Sequence, residues 1–149
     1  FPLKMTIDID GQAGRIEVDL SDNIDCVPSG INSSMACAIS AVVQGIFGTI
    51  DPDVPHNAGS FRRVDVRLRE NCIAGIPRFP HSCSLATTNP ANRLVSLTQS
   101  TFAQIGDGWG LAEGGTAHGP GFAVISGSDR RTDANYMVQV LVAINGGPA

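Results

Sequence analysis

The stretch Leu3-Lys-Met-Thr-Ile-Asp-Ile-Asp-Gly-Gln-Ala-Gly-Arg-Ile-Glu-Val-Asp-Leu20 decides the fold. Leu3, Met5, Ile7 and Ile9 alternate with Lys4, Thr6, Asp8 and Asp10, the period of two that sends every second side chain to one face of a strand. Asp10-Gly11 opens a turn, and beyond it Ile16, Val18 and Leu20 alternate with Glu17 and Asp19. Two such runs joined through residues 11–14 predict a β-hairpin with one apolar and one charged face.

An apolar sheet face has to be covered, and the next residues supply the cover. Residues 21–30 are turn-rich, with Pro28 and Gly30 as breakers, and Asn32 or Ser33 can cap a helix. Met35, Ile39, Val42, Ile46 and Ile50, flanked by Val43 and Phe47, recur at helical spacing and predict a helix running to about Gly48. Residues 51–60 contain Pro52, Pro55 and Gly59 and read as a loop. Alternation returns over 61–68, with Val64, Val66 and Leu68 on one side and Arg63, Asp65 and Arg67 on the other. Residues 71–84 are irregular around Pro77 and Pro80. Asn89-Pro90 predicts a second helix start, Asn89 as cap and Pro90 as first helical residue, with Leu94, Thr98, Phe102 and Ile105 on the buried face and Gly106 as the stop. Residues 122–126 and 136–144 predict closing strands around a polar 128–135 loop. The second of them is apolar enough to be covered on both faces. The order ββαβ, α, ββ predicts an α+β class: a mixed or antiparallel sheet with two main helices in a single domain over 1–149.

Composition narrows the function. Of 149 residues 42% are hydrophobic, enough for a core, whereas only 16% are charged, below the usual quarter. So sparse a charge implies surface hidden against partner chains and a place in a larger multi-chain assembly. Ten basic against fourteen acidic residues give a net charge of −4, which excludes an electrostatic nucleic-acid footprint. No run of 18 apolar residues is present to span a membrane. No secretory signal opens the chain, and the first residue is Phe1 rather than Met, which reads as a processed or excerpted chain. The expected compartment is the reducing cytoplasm, where Cys26, Cys37, Cys72 and Cys83 stay thiols. The two 11-residue offsets, with His81 nearby, leave a small zinc-binding protein as an alternative. Structural zinc pairs, however, usually sit two to four residues apart.

No catalytic set is complete in these residues. The glycine-rich run from Gly106 to Gly121 fits neither dinucleotide nor P-loop spacing. An interface or substrate-covering loop suits it better, with Gly108, Trp109, Gly110, Gly114, Gly115 and His118 as candidates. Thr116 and His118 lack an orienting acid and an oxyanion hole. His56 and His81 are loop residues, and Asn32-Ser33-Ser34 is more simply a cap than a glycosylation site. Arg62 shares the inward face of the third predicted strand. A guanidinium there needs either a structural ion pair or an anionic ligand.

Four stretches together resemble one family. Val18-Asp-Leu-Ser-Asp-Asn23, Asn32 opening the first helix, Val54-Pro-His-Asn-Ala-Gly-Ser-Phe-Arg62 and the Asn89–Ile105 helix followed by Asn145-Gly-Gly resemble the middle of hydantoinase B-type proteins. These are B subunits of ATP-dependent hydantoinases, oxoprolinases and acetone or acetophenone carboxylases. Pro55-x-Asn57-x-Gly59-x-x-Arg62 is the most specific piece. Arg63 stands where the family usually has proline, and Thr88-Asn89 where Gly-Asn is frequent. The family's metal motifs, Gly-Thr-His-x-x-Asp and His-His-x-Asp, lie upstream and have no counterpart here. The resemblance implies a segment or small subunit of a hydantoinase B-like protein, working with larger hydantoinase A-like and B-like chains on a small-molecule cyclic amide or ketone. It implies a phosphorylated intermediate, with ATP, magnesium and a divalent metal serving the whole complex and none held by this chain. Asn57, Gly59 and Arg62 become the substrate- or anion-contact candidates: Asn57 to hold the loop, Gly59 to let it turn, Arg62 to meet an anionic group. The alternative from another class is a non-catalytic assembly subunit that docks through its glycine-rich loop.

Overall fold

The computed structural model describes residues 2–87, 89–106, 108–110 and 122–141, with side chains in the last stretch from 125 to 138. The chain divides into two compact units, Phe1–Leu111 and Ala112–Ala149, each described by itself.

In the first unit β1 (Thr6–Asp10) and β2 (Arg15–Asp19) pair antiparallel, from Thr6 opposite Asp19 to Asp10 opposite Arg15. The Asp10 carboxylate accepts the N–H groups of Gln12 and Ala13, and Gly14 takes the positive φ of 61° that closes the turn. A third strand, β3 (Val64–Arg67), joins β2 in parallel, so β2 is central in a mixed sheet. Val18 and Leu20 are fully buried, with Ile7, Ile16, Val64 and Val66 packed beside them. The other face is ionic: Arg15 bonds Asp65 at 3.0 Å, and Asp19 accepts the N–H of Ser21 at 2.7 Å. Bonds from Ser21, then the nearby Arg67, hold the Asp19 carboxyl below the usual carboxylate range.

Helix α1 (Met35–Phe47) is capped neither by Asn32 nor by Ser33 but by Ser34, whose Oγ accepts the Cys37 N–H at 3.2 Å. Asn32 is fully buried and has another task. Its Oδ1 accepts from Val27 N–H, and its Nδ2 donates to the carbonyls of Val27, Ser29 and Ser82. A carboxamide can donate and accept at once, which a hydroxyl cap does not need to do. The helix buries only part of the face its large residues predict: Val42, Ile46 and the flanking Phe47 face inward, but the contact is shifted towards small residues. Ala38, Ala41, Val42, Gly45 and Ile46 are buried, while Met35 is 50% and Ile39 37% exposed. Small residues decide the contact because α3 (Pro90–Phe102) comes so close that a Cβ on Gly45 would lie 2.6 Å from that of Thr98.

In α3, Leu94, Thr98 and Phe102 are buried as expected, and the Thr98 hydroxyl donates to the Leu94 carbonyl. Ile105 is not part of that face. It ends a 3₁₀ turn, Ala103–Ile105, and is half exposed, because the tighter winding carries it off the α-helical stripe. The irregular residues after β3 supply core as well: Cys72, Ile73 and Ala74 are buried. They are tied by bridges pairing Asp25 with Cys72 and Glu70 with Ile76, and by the Arg69 guanidinium on the carbonyls of Ser21 and Asn23 and on Asp25.

The second unit contains a hairpin of β4 (Phe122–Asp129) and β5 (Ala134–Leu141). Both strands run further into the polar stretch than predicted. Ser128 pairs with Asn135, bonded side chain to side chain at 2.7 Å, and only 130–133 form the turn. The expected cover on both faces of β5 is not found over Tyr136, Met137 and Val138, which are all exposed. Among the described residues the hairpin is a two-stranded ribbon, with no third layer to bury them. Residues 142–144 of the predicted strand lie outside the described residues.

Candidate functional site

Residues 51–63 hold the motif, and the third strand begins later than alternation suggests. Residues 58–61 instead form a single helical turn, α2 (Ala58–Phe61), inside the predicted loop and running into the predicted strand. Asn57 is its cap, and its Oδ1 accepts the N–H groups of Gly59 at 2.8 Å and Ser60 at 3.2 Å. Asn57 therefore holds the loop, as expected. Gly59 does not serve through a left-handed turn, since it lies within α2. Its lack of a side chain leaves room for the cap, because a Cβ would stand 3.0 Å from Asn57 Oδ1.

Arg62 is not at the inward end of a strand. It ends α2 as an exposed residue, and its guanidinium has no ion pair or hydrogen bond among the described residues. The helical turn rotates it off the face that Val64 and Val66 present to the core. Neighbouring Arg63 reaches the Ala13 carbonyl at 3.4 Å.

The clamp on this loop is aromatic and was not legible in the motif. Phe47, at the end of α1, meets His56 edge-on at 5.0 Å and Phe61 at 5.1 Å. Two apolar hollows flank the clamp. One, of about 600 Å³, is walled by Ile39, Val43, Phe47, Phe61 and Val64, with His56 and Gln44 at its polar points. The other, of about 330 Å³, runs over Ile46, Ile50 and Val54, with Arg63 at its edge. His56 is thus an exposed loop residue, as read from the sequence, with one edge of its ring resting on Phe47.

Of the glycine-rich candidates, Gly108, Trp109 and Gly110 are described. Trp109 is 48% exposed, and Gly110, at φ 70°, lies against α3, where a Cβ would be 2.4 Å from the Gln99 carbonyl oxygen. Gly114, Gly115 and His118 lie outside the described residues. All four cysteines are free thiols. Burial pushes the Cys26 and Cys83 thiols up, which keeps them protonated and weak as ligands or nucleophiles. Among the described residues no three His, Cys, Asp or Glu side chains come together to hold a metal ion. The zinc alternative therefore lacks its ligand set, and the family's divalent metal does not fit these residues. No helix among the described residues is long and apolar enough to cross a membrane.

The family model described as hydantoinase B/oxoprolinase matches residues 1–149. The chain belongs to that family. Its α+β fold also resembles the crystal structure of the ATP-dependent caprolactamase from Pseudomonas jessenii, with a TM-score of 0.70 and 23% identity. The match covers 91% of this chain and 22% of that one, so the hydantoinase B-type chain spans under a quarter of its structural neighbour. No curated protein sequence matches it.

Proposed function

We propose that this chain is a segment or small subunit of a cytoplasmic, ATP-dependent hydantoinase- or carboxylase-type enzyme acting on a cyclic amide or ketone. The observation that carries the reading is the family match over residues 1–149, and the caprolactamase neighbour favours amide-ring hydrolysis over carboxylation. In this reading an amide oxygen takes the terminal phosphoryl group of ATP and ADP leaves; water adds to the activated carbon, the ring C–N bond breaks as the nitrogen takes a proton, and a second water releases the phosphate. In the carboxylase variant a phosphorylated enolate loses its phosphate as its carbon bonds to the carboxyl source. ATP, magnesium and divalent metal are handled by larger hydantoinase A-like and B-like partners. This chain contributes scaffold and part of the site wall. Asn57 caps the turn, Phe47 clamps it, and Arg62 projects an uncommitted positive charge suited to an anionic group that builds up on the substrate.

The test is ADP release by the complete enzyme on a panel of lactams, hydantoins, 5-oxoproline and acetone. Substrate-dependent ADP is expected, and its absence across the panel overturns the reading. Arg62→Ala should lower kcat/KM about 10- to 100-fold, the loss of one charged contact of ~1.5–3 kcal/mol, with the thermal midpoint unchanged. A second reading, assembly through the glycine-rich loop, is favoured by the half-exposed Trp109. It expects the reverse: Gly108→Val breaks the complex while Arg62→Ala leaves turnover intact.

A further inference from the structure

Helix α1 reads Met-Ala-Cys-Ala-Ile-Ser-Ala-Val-Val-Gln-Gly-Ile-Phe, 13 residues without one charge. Its inner side is already occupied by α3 and the sheet, through Ala38, Ala41, Val42, Gly45 and Ile46. Yet the outer side is not an ordinary charged solvent face. Met35 and Ile39 lie one turn apart with 50% and 37% of their surface exposed, and Val43 continues the row. The row ends in the hollow of about 600 Å³ beside Phe61, itself 39% exposed. Surface helices usually carry charge on their outer face, whereas α1 exposes only two uncharged polar side chains there, Ser40 and Gln44, beside Met35 and Ile39. The absence of charge also matches permanent interfaces rather than transient ones.

We propose that this outer face is an interior contact of a family-length polypeptide, covered by an uncharged, apolar helix or strand face from another part of the same chain. The inference rests on the reading of these residues as a segment of a longer B-type protein. Area selects the occupant. A 13-residue helix is about 20 Å long and about 10 Å wide, so the strip offers on the order of 200 Å². An independently associating partner buries about 800 Å² a side, several times more. A covering element in the same polypeptide does not meet that requirement, because the tether has already removed the cost of bringing it near. The caprolactamase chain, of which the matched region is 22%, shows that such additional chain accompanies this fold. The row Met35, Ile39, Val43 would serve as the ridge, and the hollow at Phe61 would take one large apolar side chain of the occupant.

The experiment measures maleimide labelling of Met35→Cys and, separately, Ile39→Cys in the full-length gene product expressed by itself. Peptide mass spectrometry reads each site apart from the native cysteines, and the same site in urea is the reference. Both variants should label at least about 100-fold more slowly than in urea, as a contact that opens only locally does, at micromolar and nanomolar protein alike. A rate within that factor overturns the proposal. So does protection that fades on dilution, which would mean a second copy, or that appears only with a co-expressed partner chain. If protection stands while no substrate releases ADP, the functional reading falls and this one survives.

Discussion

Helices α1 and α3 are each 13 residues long and lie packed on one another, yet they solve the problem of burial in opposite ways. Helix α3 is amphipathic in the ordinary sense: Leu94, Thr98 and Phe102 face inward, and Asn92 and Ser100 face water. Helix α1 buries Ala38, Ala41 and Gly45 beside Val42, Ile46 and Phe47, and leaves the large Met35 and Ile39 outside. The difference teaches that closeness of approach, not side-chain size, picked the contact face. Gly45 lets the two backbones meet over Thr98, and van der Waals contact along the whole crossing outweighs what burying Met35 and Ile39 would add.

That comparison can be broken at several points. The largest effect is expected in urea unfolding of the 149-residue chain by itself, from Ile46→Ala and Leu94→Ala, both fully buried, each lowering stability by ~2–5 kcal/mol, while Ile39→Ala, uncovered there, costs under ~1 kcal/mol. Equal losses at Ile46 and Ile39 would erase the distinction between the two faces of α1. A middling effect belongs to Gly45→Ala. Alanine is the better helix former by ~1 kcal/mol, but its Cβ would collide with Thr98, so a net loss of ~1–3 kcal/mol is expected in the same assay. A gain in stability would show that the helices can slide apart cheaply. The smallest effects separate the caps. Ser34→Ala should cost ~1 kcal/mol, whereas Asn89→Ala should cost under ~0.5 kcal/mol, because the Asn89 side chain makes no capping bond. Matching losses would mean that Asn89 caps in solution after all.

Much of the fold was legible because its signals are local. The β1–β2 hairpin, the Val64–Val66 alternation and the Asn89-Pro90 helix start depend only on neighbours in sequence. What escaped reading depends on partners far along the chain. Asn32 looks like a cap until Ser82 arrives to receive its amide, and Cys72, Ile73 and Ala74 look like loop until Ile24 and Leu20 close over them. At the candidate site, Asn57 was legible as the residue that holds the motif. The orientation of Arg62 was not, because one helical turn of four residues leaves no periodicity to detect. The Phe47 clamp joins separate elements and carries no spacing signal of its own.

The parallel pairing of β2 with β3 has a consequence for how the chain is made. The hairpin leaves the ribosome before β3, and the outer edge of β2 then stands unpaired until residues about fifty places later emerge, the separation spanned by Arg15 and Asp65. The Asn32 tie to Ser82 closes a loop of the same reach. Folding speed should therefore be governed by two long ring closures rather than by the formation of either helix. A nascent chain arrested between the two strands would present an open, adhesive edge, which makes the interval between them the point at which a chaperone is most needed.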